Sequence, residues 1–364
     1  MNNLLDLYTD YLISQNKYAT STGFSDLVNG SISHDKMTRF LNGKLLGSKE
    51  LWGYIKPEVR SVEKGGGALI LDDSIQEKPY TDENEIMCWH YSHAKGMHVK
   101  GANLLSCIVQ YDDISIPIGY EIIHKDVSYS EIETKKVKRK SSITKNEHFR
   151  NLLSQAYNNK VLFEWVLADN WFGAKENLEY INNVIKKKFI IGIKSNRTVA
   201  LSEKEKLKGD FTKVSKLDLE DDQSIKVWVK GIDFALQLIK KVFTNEDGSK
   251  GVLYIMSNDL KHDADYLYMI YQKRWKIELY HKSIKQNASL AASPTKRVLS
   301  QANHIFSSLV AFCKLELLKI KTATNHFAIK HLLLLKANQA AFLELQSLKN
   351  LYQILKQEKD LMQV

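Results

Sequence analysis

Four side chains in residues 271–285 are set out for chemistry on one helix: Tyr271, Arg274, Glu278 and Lys285, separated by three, four and seven residues. At about 100° per residue they fall within an arc of roughly 60°. One phenol, two cations and one carboxylate thereby share a face. Opposite charges on one helix face can be no more than a solvated stripe of paired side chains. Here two further carboxylates stand upstream, each closing an apolar run: Asp72 after residues 68–71, and Asp169 after residues 161–168. Transesterification at a phosphodiester needs a nucleophilic oxygen activated and a leaving oxygen stabilised, and two metal ions about 3.5–4 Å apart do both. Hard divalent cations such as Mg²⁺, with Mn²⁺ as a substitute, take carboxylate oxygens. Asp72, Asp169 and Glu278 are therefore the candidate catalytic residues and metal ligands of a two-metal site. Arg274 and Lys285 would hold a DNA backbone in line.

The elements that must position these groups follow from the pattern. Residues 68–71 read as a buried strand that delivers Asp72 at its tip. Strand-like runs follow at 98–111 and 114–123, with a turn at Asp112 and Asp113, and suggest an antiparallel meander. An amphipathic helix is predicted over 145–157, a strand over 161–168, a helix over 174–187 and a strand over 188–193. That order makes a mixed sheet with helices on its faces, a ribonuclease H-like α/β (α+β) arrangement in which the first and fourth strands can lie side by side. Residues 196–250 break the pattern and read as a β-rich insertion, with strands near 225–229 and 235–242. One long helix, 264–285, then carries the third carboxylate, and residues 297–360 are helical.

The first sixty residues also read as helical. Leu4, Leu5, Tyr8 and Leu12 make one half-buried stripe. A short segment over 22–28 is broken by Asn29, Gly30 and Ser31. A third helix starts at Ser33, a good N-cap, with Asp35 in its first turn, and ends at Asn42 and Gly43. Helix, glycine turn, helix is the layout of a helix-turn-helix, and its second helix would offer His34, Lys36, Thr38 and Arg39 to a major groove. The alternative is a small helical cap on the next domain. The domain expectation is a DNA-binding region at 1–62, a catalytic core at 63–195 and 251–321, an insertion at 196–250 and a helical region at 322–364.

The residues of this signature resemble the DDE transposases of bacterial insertion sequences, the large group marked by Tyr, two residues, Arg, three residues, Glu, six residues, Lys. All four positions match, and the resemblance extends to the surroundings of Asp72 and Ser74 and of Asp169. It implies two-metal DNA cleavage and strand transfer at the terminal inverted repeats of the chain's own element, followed by insertion into target DNA. It also implies a homodimer that brings two ends together. By the same resemblance Arg274 and Lys285 contact the transposon end and Tyr271 helps to place its 5′ strand. The group's first motif, Asp, one residue, then Thr or Ser, selects Asp72 over Asp73, although one residue reverses the direction of a strand side chain. An aromatic of the insertion can stack on a displaced base in related enzymes, and Trp228 is the candidate here, against a place in the insertion's own small core.

Bulk properties agree. The 364 residues carry 52 Lys and Arg against 42 Asp and Glu, a net charge of +10, which favours a polyanionic partner. The 3 cysteines have no paired spacing, and no apolar run is long enough to span a membrane, so a cytoplasmic protein with no disulfide framework is expected, and the resemblance implies a bacterial, nucleoid-associated one. Cys88, His90, His93 and His98 match no ordinary zinc spacing. The basic run Lys135, Lys136, Lys138, Arg139 and Lys140 is either a solvated loop or a phosphate contact. Gly65, Gly66 and Gly67 lack the Gly-Lys-Ser/Thr of a nucleotide loop. A domesticated DNA-binding protein and a nuclease without strand transfer are the alternatives, and the three carboxylates weigh against the first, since unmetallated they repel phosphate.

Overall fold

The computed structural model describes residues 2–361 apart from 93–94, 133–134 and 136, so His93 and Lys136 lie outside the described residues. Helices α1 (Asn2–Ser14), α2 (Ser21–Leu27), α3 (His34–Leu41) and α4 (Ser48–Val62) come first. Strands β1 (Ala68–Glu77), β2 (Cys88–Ser92), β3 (Met97–Tyr111) and β4 (Ile114–Ile122) follow, then a ribbon of β5 (Val127–Ser130) and β6 (Val137–Lys140). Next come α5 (Lys145–Asn158), β7 (Trp165–Ala168), α6 (Lys175–Glu179), which continues as a wider turn over Tyr180–Ile185, and β8 (Lys188–Gly192). The insertion supplies β9 (Thr198–Ala200), α7 (Glu203–Lys208), β10 (Thr212–Lys213), β11 (Ser224–Val229) and β12 (Leu236–Thr244), and leads into β13 (Lys250–Ser257). Helices α8 (Ala264–Gln272), α9 (Trp275–Gln286), α10 (Val298–Thr322) and α11 (His326–Leu361) complete the chain.

One large mixed sheet runs β10-β9-β11-β12-β13-β8-β7-β1-β3, with β2 and β4 following one another along the far edge of β3. Its centre is the expected core. Strand β1 pairs antiparallel with β3 and parallel with β7, in the register Leu71↔Ala168. Ala68 to Leu71 and Trp165 to Ala168 are fully buried, as strands covered on both faces must be, so their sequences read as continuous apolar runs. The insertion adds to this sheet edge to edge, because β13 pairs with β8. Strands β2, β5, β6, β9, β10 and β13 were not among the sequence expectations. Apart from β13 they have two to five residues and mostly polar or half-exposed side chains, too little for a period-2 pattern to register.

Two differences concern the site. The single helix expected over 264–285 is two, α8 and α9, joined by a tighter turn in which the N–H groups of Lys273 and Arg274 donate to the carbonyls of Ile270 and Tyr271, three residues back (3.1 and 2.9 Å). Such 3₁₀ tightening eclipses residues i and i+3, so Tyr271 and Arg274 stay aligned across the break. The second concerns the first four helices. Tyr8, Phe24, Met37 and Leu51 belong to the same apolar core as Leu71, Ile277 and Leu309. His304 of α10 lies 3.0 Å from the Tyr8 hydroxyl, and the Asn303 side chain bonds the backbone of Leu41, Lys44 and Leu46. The N-terminal helices are thus packed on α10.

The loop that leads into α8, itself capped by Asp263, is held by Asp259. Its carboxylate accepts from the Lys261 and His262 N–H groups (2.8 and 3.2 Å) and lies 3.0 Å from Lys188 Nζ and 2.9 Å from His262 Nδ1. Burial alone would raise its pKa, and these partners reverse that and hold it well below the usual carboxylate range. A carboxyl whose folded pKa is depressed contributes stability above its unfolded pKa, near 4, and loses it as the pH falls through the folded value. Asp259→Asn is therefore expected to cost about 2 kcal/mol in urea denaturation at pH 7. The deficit should shrink steadily below pH about 4.

Candidate active site

Asp72 is the first residue of β1 beyond the fully buried run, and Asp169 follows β7 directly. With Leu71 opposite Ala168 in a parallel pair, Asp72, midway along β1, lies beside Asp169, just past the end of β7. Strand β1 continues to Glu77 because it stays paired with β3, so Asp72 is not at the strand tip expected of it. The Asp169 side chain caps a 3₁₀ turn over Asn170–Phe172, accepting from the Trp171 N–H at 2.9 Å. Phe172 anchors that turn by stacking on Phe149 of α5, with ring centres 4.9 Å apart. Asn177 ties it further, donating to Phe172 O (3.0 Å) and Asn146 Oδ1 (2.9 Å).

The pair is electrostatically uncomfortable. Burial, then the charge of Asp169, then that of Asp73, pushes the Asp72 carboxyl up to about 7. Asp169 is raised too, chiefly by burial. Asp73 has compensating partners: Lys145 Nζ at 2.7 Å and Asn103 Nδ2 at 2.8 Å. Strand alternation separates the two neighbours, since Ser74, on the same face as Asp72, accepts from Lys285 Nζ at 2.7 Å. Lys285 also reaches Ile75 O, and its own pKa is lowered by burial.

Arg274 lies among these groups. Its guanidinium donates to Glu278 Oε1 at 2.8 Å, lies 5.7 Å from the Tyr271 ring centre, and draws down both Asp72 and Asp169. Its Nε–H is buried without a hydrogen-bond partner. Tyr271 is buried, its pKa pushed up to about 12 by that burial. Glu278 is held on Arg274 and does not line the cleft that contains Asp72 and Asp169. Among the described residues no three His, Cys, Asp or Glu side chains already form a metal-holding group. Two of the three predicted carboxylates are thus together, and the third stands on the far side of an arginine.

The cleft has a volume of about 1290 Å³. Small-ligand pockets take roughly 300–1,000 Å³. Its lining includes Lys125, Lys145, Lys194 and Lys285 as well as the aspartates. Trp171 stands beside Asp169, part-exposed, with Lys145 and Lys194 ammonium groups 5.5 and 5.3 Å from its ring centre. The sequence reading did not single out Trp171, Lys145 or Lys194. The only signal was position, two residues beyond Asp169 for Trp171. Trp228 is half-buried on β11, under Lys226 Nζ at 5.1 Å, and does not line the cleft. Lys36, Arg39, His34 and Thr38 are all exposed on α3, whose Met37 and Leu41 face inward. His90 is buried in β2, and the described members of the proposed zinc set form no metal-holding group.

A mixed sheet in β4-β3-β1-β7-β8 order, with an acidic side chain midway along β1 and another just past β7, has the ribonuclease H-like arrangement of a nucleic-acid enzyme. The chain belongs to the DDE transposases. Residues 4–210 match the family described as DDE superfamily endonuclease, and residues 131–313 match the transposase DDE domain. These are nucleases that act on DNA and generally use divalent metals. A comparison with curated proteins gives no match. No helix among the described residues is long and apolar enough to cross a membrane.

Close packing fixes the Asp169 turn. A Cβ on Gly192 of β8 would sit 2.8 Å from the Asn170 nitrogen, and one on Gly173 would sit 2.9 Å from Gly192 O. Gly192→Val should therefore displace Asp169, costing about 1–3 kcal/mol in thermal or urea unfolding and depressing DNA cleavage disproportionately. A variant that keeps wild-type cleavage would show that the turn does not position Asp169.

Proposed function

We propose that the chain is a cut-and-paste transposase that cleaves and joins the terminal inverted repeats of its own insertion sequence. In this reading Asp72, Asp169 and Glu278 are its catalytic carboxylates and the ligands of two Mg²⁺ ions, for which Mn²⁺ substitutes. The observation that carries it is the Asp72–Asp169 pair, two side chains of like charge on adjacent parallel strands, raised in pKa. An all-oxygen, uncompensated acidic pair fits a hard divalent cation, which removes the repulsion that burial magnifies. Bound there, such ions supply Lewis acidity to the attacking and leaving oxygens of the phosphodiester.

The chain's own groups do the holding. Glu278, released from Arg274, adds the third carboxylate. Arg274 then turns its guanidinium, including the unpartnered Nε–H, to a phosphate of the transposon end. Lys285, braced by Ser74, holds the next phosphate, and Tyr271 backs Arg274 and places the 5′ strand. Trp171, between two lysines on the cleft, takes the stacking role first given to Trp228. Lys36 and Arg39 on the exposed face of α3 contact DNA outside the cleft.

The proposed organisation keeps DNA-binding helices at 1–62, a catalytic core at 63–195 and 251–321 interrupted by the insertion at 196–250, and a helical region at 322–364. A homodimer in the DNA complex is supported by α11, where Leu332, Leu333, Leu335, Phe342, Leu345 and Leu348 are exposed on one long helix. The side chain of Leu355 lies outside the described residues. The protein works in the cytoplasm, at the nucleoid.

Strand cleavage of a duplex carrying the flanks of the gene tests the assignment. Asp72→Asn should lower Mg²⁺-dependent cleavage by about 10³-fold, because several kcal/mol of charge stabilisation is removed at about 1.4 kcal/mol per decade. Asp73→Asn, which removes the charge partner of Lys145 and a neighbour charge of Asp72 but no proposed metal ligand, should stay within about tenfold of wild type. In parallel, Mn²⁺ should raise the melting temperature of the wild type and not that of Asp72→Asn. Equal losses in the two variants would contradict the choice of Asp72.

A further inference from the structure

The ribbon β5–β6 is the one sheet, among the described residues, that stands apart from the large sheet. All its residues are exposed except Arg139, which is half-buried. An isolated two-stranded hairpin without a core is marginal in water, so a ribbon kept at this place needs a surface to lie against. Its register shows which face is available. Tyr129 is opposite Lys138 and Val127 opposite Lys140, while Ser128 is opposite Arg139. Directly opposed residues share a face, so Tyr129, Lys138, Val127 and Lys140 lie on one side and Arg139 on the other.

The Arg139 side is turned to the body of the protein. Its guanidinium reaches Lys125 O at 3.5 Å and stands 3.9 Å from Glu83. The base of the ribbon is pinned by Asp126, which accepts from the Ser142 N–H and hydroxyl at 2.8 and 2.6 Å. The opposite side presents Tyr129 with the Lys140 ammonium 5.7 Å from its ring centre, and Lys138 paired with Glu131. Both legs run into the catalytic cleft, since Ile123, Lys125, Ser141 and Lys145 line it together with Asp72 and Asp169. Beside the ribbon, edge strand β2 exposes Trp89, whose carbonyl accepts from Lys125 and whose ring has Lys100 Nζ at 5.9 Å. Ring–ammonium pairs thus stand on the ribbon and on β2, the elements that make one rim of the cleft through Lys125, Ser141, His90 and Tyr91.

We propose that this rim is a second DNA contact. The Tyr129, Lys138 and Lys140 face of the ribbon, continued by Trp89, grips the duplex arm that runs out of the catalytic cleft. A two-stranded ribbon fits the major groove, and cations along it take backbone phosphates and fix orientation. Where the arm leaves the site rests on the transposase reading above; that the rim binds duplex DNA does not.

The test uses the full chain with two duplexes, one from the flanks of the gene and one of unrelated sequence. Affinity is measured against salt concentration, and Mg²⁺-dependent cleavage is measured separately. K138S/K140S should reduce the slope of log affinity on log salt by about 0.9 for each phosphate no longer neutralised, or about 2 in all. K138E/K140E should weaken binding further, while K208S, on exposed α7, should leave the slope unchanged. A slope that stays at the wild-type value in both double variants overturns the rim, even if the wild type cleaves. Failure of the wild type to bind any duplex overturns it too. Slopes that fall as expected in a protein that never cleaves would uphold the rim and sink the transposase reading alone.

Discussion

Two carboxylates of like charge on adjacent parallel strands, one midway along β1 and one just past β7, are the constraint around which this molecule is arranged. Asp72 and Asp169 cannot move apart, because the strands that carry them are buried on both faces and locked in register at Leu71 and Ala168. Burial and proximity together make their ionised forms costly. The surroundings limit that cost without removing it. Lys145 partly offsets the charge of Asp73, and Arg274 lends a partial counter-charge from the helix side. What is left is a pair whose repulsion a proton or a bound cation relieves.

Helices α8 and α9 supply the other half. Asp259 ties down the loop ahead of α8, Asp263 caps the helix, the tight turn at Lys273 and Arg274 keeps Tyr271 and Arg274 aligned, and Lys285 is tied to Ser74 of β1. Between those fixed points Arg274 holds Glu278 by one i,i+4 ion pair. A pair of this kind, partly exposed, is worth on the order of 0.3–0.5 kcal/mol. It can therefore be exchanged readily when a phosphate competes for the arginine and a cation for the carboxylate. The same two residues serve as a resting charge pair and, in the proposed complex, as separate contacts to DNA and metal.

Much of this was legible in the sequence because long-range order left local marks. The uninterrupted apolar runs before Asp72 and Asp169 announced two central strands, although β1 runs on past Asp72 to Glu77 because its polar second half stays paired with β3. The spacing of Tyr271, Arg274, Glu278 and Lys285 announced helix, although in two segments. The glycine turn after α2 and the Ser33 cap marked α3, although nothing in those residues told that α1 to α4 pack on α10 rather than standing alone. The break at Lys273 was invisible, since no proline or glycine causes it. Trp171 and its two lysines were invisible for another reason: Lys145, Trp171 and Lys194 are far apart in the chain, and only the sheet brings them to one cleft. Ribbon β5–β6 read as a basic run because its strands are four residues each and exposed on both faces, without the alternation that burial imposes.

The central claim is that Glu278 leaves Arg274 to complete the Asp72–Asp169 site for DNA cleavage and joining. It is tested most directly by excision of a marker placed between the DNA flanks of this gene on a plasmid, with the wild type and with Glu278→Gln. Glutamine can still hydrogen-bond Arg274 but cannot supply the third negative charge. Excision by the wild type, and its loss in Glu278→Gln, is the result predicted. Equal excision by both proteins would contradict the account and send the search for the third carboxylate to Asp263 or Asp265.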